Sequence, residues 1–141
     1  MNEKLLITSM VHTLYHENNT NCARTMLLVL AKLFDQNLEK QTLQSAVALH
    51  GCGGHRDQCG LVEGAVMFLG IYFLGKGWEE QQVVRLVYMY AEHFKETFGS
   101  LLCRELRPRG FSKEDPPHVC EELTVRAITF THQFISGVNR S

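Results

Sequence analysis

The sequence predicts an all-α fold, a single-domain bundle of about six helices that spans residues 1–141. Apolar residues recur at three- and four-residue steps along most of the chain, and no segment shows the apolar–polar alternation of a half-buried β-strand. With 141 residues, 45% of them hydrophobic and 21% charged, the chain has the size and composition of one globular domain.

Each predicted helix combines this periodicity with a boundary signal. Asn21 is a residue type that caps helices, the glycine-rich run 51–54 interrupts the pattern, and Gly99 is a natural helix end. Residues 107–117 contain all three prolines and are expected to form an exposed loop. In chain order, the predicted helices are one that starts at Leu5 and ends before 17–19, then 22–34, 38–50, 59–75, 78–98 and 118–135, with a short helical turn at 101–106. The helix at 38–50 is expected to direct inward Leu43, Ala46, Val47 and Leu49.

Composition also limits the function and the location of the protein. Lys and Arg total 14 against 15 for Asp and Glu, with no basic block, so a nucleic-acid partner is not expected. The most apolar segment, 61–75, is shorter than a membrane span and contains Glu63, so we expect a protein that is not transmembrane. The first residues lack the long apolar run of a secretory signal, and we therefore expect a cytoplasmic location.

The five cysteines carry the strongest functional signal in such a chain. Structural disulfides are rare in reducing compartments, where sets of cysteines more often bind metal or carry out redox chemistry. Four of them fall at the ends of predicted elements: Cys22 and Cys120 in first helical turns, Cys59 at the start of the central helix, and Cys103 on the short turn. Backbone N–H groups at such positions favour a negatively charged sulfur, whereas cysteines that only pack would more often lie in mid-helix.

Four dispersed thiols suit three kinds of chemistry. They can ligate an iron–sulfur cluster, act as a thiol–disulfide relay or hold a structural zinc ion. The sequence has no C-x-x-C pair, which counts against zinc and against a thioredoxin-type motif. It also has no C-x-x-C-H motif, so a covalently attached haem is not expected.

The cysteines belong to ordered local motifs. These are Asn21-Cys22-Ala23, the glycine-rich loop, Cys59-Gly60-Leu61-Val62-Glu63-Gly64, Phe98-Gly99-Ser100-Leu101-Leu102-Cys103-Arg104-Glu105-Leu106 and finally Cys120. From about Tyr15 to Ile135 the set resembles the C-GCAxxG-C-C family of redox-active proteins, with the four cysteines at the family's four cysteine positions. The resemblance implies an all-helical fold related to the iron–sulfur-bearing part of split-Soret cytochrome c. Leu61 departs from the family pattern, because alanine is usual there.

The loop before Cys59 contributes further candidates. Backbone amides in a glycine-rich segment can approach a bound group closely, so four glycines are predicted to bind the cofactor: Gly51, Gly53, Gly54 and Gly60. Cys52 and His55 replace the glycine or apolar residues that the family more often has. They are candidate extra metal ligands, which with His50 and Cys59 could form a mixed Cys/His metal site, and Cys52 could also act as a resolving thiol. The alternative is a polar loop whose histidines face water.

Two other side-chain pairs have competing interpretations. His12 and His16 lie four residues apart on one helical face and could clasp a metal ion, although an exposed pair without a third ligand is much commoner. Arg104, next to Cys103, either lowers the pKa of that thiol or forms a surface salt bridge, and we favour the salt bridge.

These observations predict an oxidoreductase or electron-transfer protein with an unidentified redox partner. Its four predicted functional cysteines would ligate an iron–sulfur cluster or cycle between thiol and disulfide: Cys22, Cys59, Cys103 and Cys120. The alternative is a non-catalytic helical module with a structural zinc site or inert cysteines. Gly60 and Gly64 share a face of the central helix that can pack within the chain or across a two-fold axis, so a homodimer is a further hypothesis.

Overall fold

The computed structural model describes residues 2–107 and 119–141, and helices form the architecture of both ranges. The helical segments in these ranges are α1 (Glu3–His16), α2 (Cys22–Leu33), α3 (Lys40–Ser45), α4 (Gly51–Gly54), α5 (Gly60–Gly75), α6 (Glu80–Phe98), α7 (Cys103–Leu106) and α8 (Glu121–Arg140). α4 is a single turn within the glycine-rich loop, and its four residues have positive φ angles rather than those of a right-handed α-helix. The predicted all-α class is confirmed, and the helix count is close to the predicted six. The loop predicted at 107–117 lies, beyond Arg107, outside the described residues.

α5 is the central helix of the bundle. It packs against α2, α6 and α8, while α1 lies against α2 and α8. Phe68 and Phe73 of α5 are almost completely buried, as are Tyr90 and Phe94 of α6. A helix that is apolar on all sides has to be enclosed by its neighbours, which explains why α5 occupies the centre.

The contact between α2 and α5 depends on small residues. A Cβ atom at Gly64 would overlap with the backbone of Ala23, so the two helices touch at their main chains. The glycine face of α5 is therefore used inside the chain, as one of the two packing alternatives predicted. A homodimer remains a prediction.

Asn21 fixes the start of α2 and also the end of α3. Its side-chain oxygen accepts a hydrogen bond from the N–H of Arg24 (3.0 Å), and its amide nitrogen donates to the carbonyls of Ala46 and Val47 (2.9 Å each). The predicted helix at 38–50 is wrong beyond Ser45: residues 46–50 form turns, in which the Ala46 carbonyl also accepts a hydrogen bond from the N–H of Leu49 (3.1 Å). Ala46 is buried as expected, but Val47 is 57% exposed, so its predicted inward orientation is wrong.

The later helices follow the sequence signals more closely. α6 ends at Gly99, which adopts the left-handed conformation (φ 93°) as the C-terminal cap. α8 begins directly after Cys120 and continues to Arg140, five residues beyond the predicted end at 135. Across the two described ranges, no helix combines the length and the apolar character that crossing a membrane requires.

Candidate functional site

Four of the five cysteines line one cavity of about 280 Å³. Cys22 and Cys103 are the first residues of α2 and α7, while Cys59 and Cys120 are the caps that precede α5 and α8. The predicted placement of these cysteines at element ends is therefore confirmed. Since one water molecule occupies about 30 Å³, the cavity has room for a group of several atoms.

A short backbone pairing holds Cys59 and Cys103 next to each other. The N–H of Cys59 donates to the carbonyl of Leu101 (2.8 Å), and the N–H of Cys103 donates to the carbonyl of Asp57 (2.6 Å). Between them, Gln58 and Leu102 form an antiparallel β-bridge. Two cysteines that are far apart in sequence are thus placed by main-chain hydrogen bonds, which do not depend on any bound group.

Gly60 makes room for the thiol of Cys22. A Cβ atom at this position would overlap with both Cys22 Sγ and the carbonyl oxygen of Leu49. The Cys22 thiol itself lies 3.8 Å from the Leu49 carbonyl oxygen, to which it can donate a hydrogen bond. The glycine that follows Cys59 is therefore a steric requirement of the cavity.

Burial dominates the ionisation of two of the cavity thiols. It raises the pKa of Cys22 to about 12, with a further increase from the charge of Cys103, although the N–H of Ala23 acts in the opposite direction. Burial likewise raises the pKa of Cys59 to about 12, and Cys22 adds to this increase, while the N–H groups of Leu61 and Val62 oppose it. The expected stabilisation of a thiolate at a helix start exists, but burial outweighs it. As free thiols, both groups are protonated at neutral pH.

Two arginines bring positive charge to the cavity. Arg56 Nη1 lies 3.9 Å from Cys103 Sγ, and Arg107, only 8% exposed, also lines the cavity wall. Arg104 instead forms a salt bridge with Asp57 (3.5 Å) on the surface, so the favoured interpretation of Arg104 is confirmed. Arg56 and Arg107 were not predicted, since adjacency in sequence pointed to Arg104.

Tyr15 connects α1 to the cysteine at the start of α8. Its hydroxyl donates to Thr124 Oγ1 (2.6 Å), and the Thr124 hydroxyl donates to the carbonyl of Cys120 (2.8 Å). Burial, and then the proximity of Cys22, raise the pKa of the Tyr15 phenol, which therefore stays neutral. Tyr15 also lines the cavity and was not predicted, because its position on α1 is simply that of a buried apolar-face residue.

Of the candidate ligands in the glycine-rich loop, one lines the cavity and two lie at the surface. His50 lines the cavity, and its buried Nδ1 has no hydrogen-bond partner among the described residues. Cys52 is exposed, and the side chain of His55 is 81% exposed and contacts Asp57 (3.4 Å).

The predicted cofactor-binding glycines have different surroundings. A Cβ atom at Gly51 would lie 2.9 Å from Arg56 Cα and 3.4 Å from Cys103 Cβ, so this residue supports the cavity wall. Gly53 and Gly54 have positive φ angles and open space around them. The cofactor-binding roles of these glycines, and of Gly60, stay predictions, as do the ligand roles of Cys52 and His55.

The spacing of the sulfurs bears on the kind of group that fits. Among residues 2–107 and 119–141, the set of three metal-ligating side chains whose ligand atoms lie within 4.8 Å of one another is His12, His16 and Glu121. No three cysteine sulfurs in these ranges are gathered that closely, whereas a tetrahedral zinc ion with Zn–S bonds of about 2.3 Å holds its sulfurs about 3.8 Å apart. The cysteine sulfurs are thus spaced more widely than the ligands of a single zinc ion.

Fold and cavity together define an all-helical protein with a four-cysteine centre. The family described as "Putative redox-active protein (C_GCAxxG_C_C)" matches residues 20–134, which include all four cavity cysteines, and the chain belongs to this family. Comparisons with curated proteins and with solved structures gave no significant match. The resemblance found in the sequence motifs is therefore confirmed.

Proposed function

We propose that this protein transfers electrons by means of an iron–sulfur cluster ligated by the four cavity cysteines. One observation carries the proposal: four thiols from four helix starts line the same cavity as Arg56 and Arg107. Iron–sulfur clusters use four cysteine thiolates, and their potentials depend on charge, exposure and hydrogen bonds to sulfur. The cavity supplies each of these factors.

The thiols must lose their protons when they become ligands. Since burial raises the pKa of Cys22 and Cys59 to about 12, binding of the metal centre releases these protons to solvent. The N–H groups of Ala23, Leu61 and Val62 then point toward sulfur that carries negative charge. Hydrogen bonds of this kind stabilise a thiolate-ligated centre and set its potential.

The arginines offset the negative charge of four thiolates. Arg56 already lies beside the Cys103 sulfur, and Arg107 is nearly buried, so their charges act in an environment of low dielectric constant. A cluster held by the four cysteines would supply one-electron chemistry, with the electron accepted from a reduced partner protein and passed to an oxidised one. The experiment below tests the cluster directly and does not require these partner proteins to be identified.

The competing chemistries have less support. A thiol–disulfide relay needs an attacking thiol with a large thiolate fraction near neutral pH, and burial acts against this at Cys22 and Cys59. A structural zinc ion would require the sulfurs to move closer together.

The test is to purify the protein without oxygen and to measure its absorption spectrum, iron, zinc and acid-labile sulfide. We expect broad visible absorption together with iron and sulfide, and we expect Cys59→Ser to abolish both. Cys52→Ser is the matched control, because Cys52 is an exposed thiol seven residues earlier in the same chain. The control variant should keep the colour and the sulfide content of the wild-type protein.

Other outcomes would contradict the proposal in distinct ways. Colourless protein with one zinc ion per chain would establish the structural site instead. Protein without metal, whose thiols form disulfides reversibly, would establish the relay. Loss of colour in Cys52→Ser with retention in Cys59→Ser would refute the proposed set of ligands.

A further inference from the structure

A second group of metal-ligating side chains lies outside the four-cysteine cavity. His12 and His16 are one helical turn apart on α1, and Glu121 is the first residue of α8. Their ligand atoms all lie within 4.8 Å of one another. The exposed histidine pair, for which the sequence offered no third ligand, therefore has one in the folded protein.

The three side chains already point at each other. His12 Nδ1 lies 3.2 Å from Glu121 Oε2, and His16 Nε2 lies 2.6 Å from Glu121 Oε1. The two imidazole rings stack with their centroids 4.3 Å apart. A zinc ion with bonds of about 2.1 Å holds tetrahedral ligand atoms about 3.4 Å apart, so small side-chain movements suffice to place three ligands around one ion.

The charge of the site suits a divalent cation. Glu121 is an acidic residue whose two carboxylate oxygens each contact one of the histidines, and each histidine offers one ring nitrogen. Two imidazoles and one carboxylate form a recurring set of zinc ligands, with the remaining position left to water.

We propose that His12, His16 and Glu121 bind one divalent transition-metal ion, with Zn²⁺ as the representative, at a site separate from the four-cysteine cavity. The ion replaces the hydrogen bonds between the histidines and the carboxylate with coordination bonds. All three side chains reach solvent (63%, 39% and 28% exposed), so the ion can enter and leave without opening the fold.

The position of the site gives it a structural consequence. Glu121 directly follows Cys120, whose thiol lines the cavity. An ion that joins Glu121 to α1 holds the first turn of α8 in place, and with it the cysteine at the start of that helix. The proposal does not depend on what the four cysteines bind.

The experiment is a Zn²⁺ titration of the reduced protein, as purified, followed by NMR of the histidine rings and by competition with a chromogenic chelator. We expect the ring signals of His12 and His16 to shift together and to saturate with one ion per chain, counted in addition to any Zn²⁺ that the cysteines bind. The ring signals report on the second site directly, and the cysteines are present in every variant. His12→Gln, His16→Gln and Glu121→Gln should each weaken binding at this site at least about tenfold.

His93→Gln is the matched control, because His93 is an exposed histidine on α6, away from this group. It should leave Zn²⁺ binding unchanged. Circular dichroism verifies the fold of each variant, and Glu121→Gln keeps the shape of the side chain. Ring signals of His12 and His16 that do not move when Zn²⁺ is added, or equal affinity in all four variants, would overturn the proposal.

Discussion

Burial and helix starts act in opposite directions on the cavity thiols. The N–H groups of Ala23, Leu61 and Val62 favour negative charge on the sulfurs of Cys22 and Cys59, but the loss of solvent disfavours it more strongly. As free thiols, Cys22 and Cys59 therefore have low intrinsic reactivity. Under the proposed function they would act as metal ligands rather than as nucleophiles.

The rate at which each cysteine reacts with iodoacetamide should depend on the exposure of its thiol and on the fraction present as thiolate. In the reduced, metal-free protein we expect Cys52 to be alkylated first and Cys59 last. A pKa raised from 9.0 to about 12 lowers the thiolate fraction of Cys59 about a thousandfold near neutral pH. Mass spectrometry of peptides over time measures the order, and urea-unfolded protein provides the control in which all five cysteines react at similar rates. Alkylation of Cys59 as fast as Cys52 in the folded protein would contradict this.

At the scale of single residues, sequence reasoning found the cysteines but not their surroundings. Cysteine spacing and the neighbouring cap residues and glycines indicated which thiols lie at helix starts. Nothing in the sequence distinguishes Arg56 and Arg107, which enter the cavity, from Arg104, which turns to Asp57 on the surface. That distinction depends on the backbone pairing between two distant segments.

At the scale of elements, the close approach of α5 to α2 forms one wall of the cavity. Gly60 lies against the Cys22 thiol and Gly64 against the Ala23 backbone, so the start of α5 admits no side chain on this face. Farther along the same helix, Gly70 has open space around the position of a Cβ atom. Substituting alanine for Gly60 and for Gly70 should therefore change the free energy of unfolding in opposite directions.

Gly60→Ala should lower the free energy of unfolding by about 1–3 kcal/mol, because the added methyl group forces α2 and α5 apart. Gly70→Ala should raise it by up to about 1 kcal/mol, because alanine is the better helix former. Urea unfolding of the two metal-free variants and the wild-type protein measures both changes. If Gly60→Ala proved more stable than the wild-type protein, the Cys22 thiol and α5 would be able to move apart at little cost, which would contradict this prediction.

Helix boundaries were predictable where the signal is local. Asn21 and Gly99 define the start of α2 and the end of α6 through contacts with residues within a few positions in sequence. The end of α3 was not predictable from periodicity. The turns that follow it are held partly by Asn21, whose amide donates to carbonyls 25 and 26 residues away, and a periodic pattern cannot reveal such long-range hydrogen bonds.

At the scale of the whole molecule, buried acidic groups make stability depend on pH. Burial raises the pKa values of Cys22, Cys59, Tyr15 and Tyr90 above their ordinary values of 9.0 for Cys and 10.0 for Tyr. In the unfolded chain these groups lose protons at lower pH than in the folded one. Their contribution to stability is complete below pH 9.0 and declines as pH rises through about 12.

The free energy of unfolding of the metal-free protein should therefore fall steadily above about pH 9. Urea unfolding at a series of pH values from neutral to about 11 measures the decline. Tyr90→Phe should make the decline of the free energy of unfolding with pH less steep, because this change removes one titrating group. Thr131, the hydrogen-bond partner of Tyr90, still donates to the carbonyl of Ala127 in this variant. A free energy that stays constant over this range would show that the thiols and phenols ionise without unfolding.

The backbone pairing between Cys59 and Leu101 has a consequence for how the protein matures. The ligand positions are distributed along the chain from Cys22 to Cys120, and they meet only after the helices and this pairing have formed. The hydrophobic core around them is built from side chains of α2, α5, α6 and α8. If the four cysteines hold an iron–sulfur cluster as proposed, iron and sulfide would be inserted after the chain has folded, and cells short of iron would accumulate a folded, colourless form of the protein.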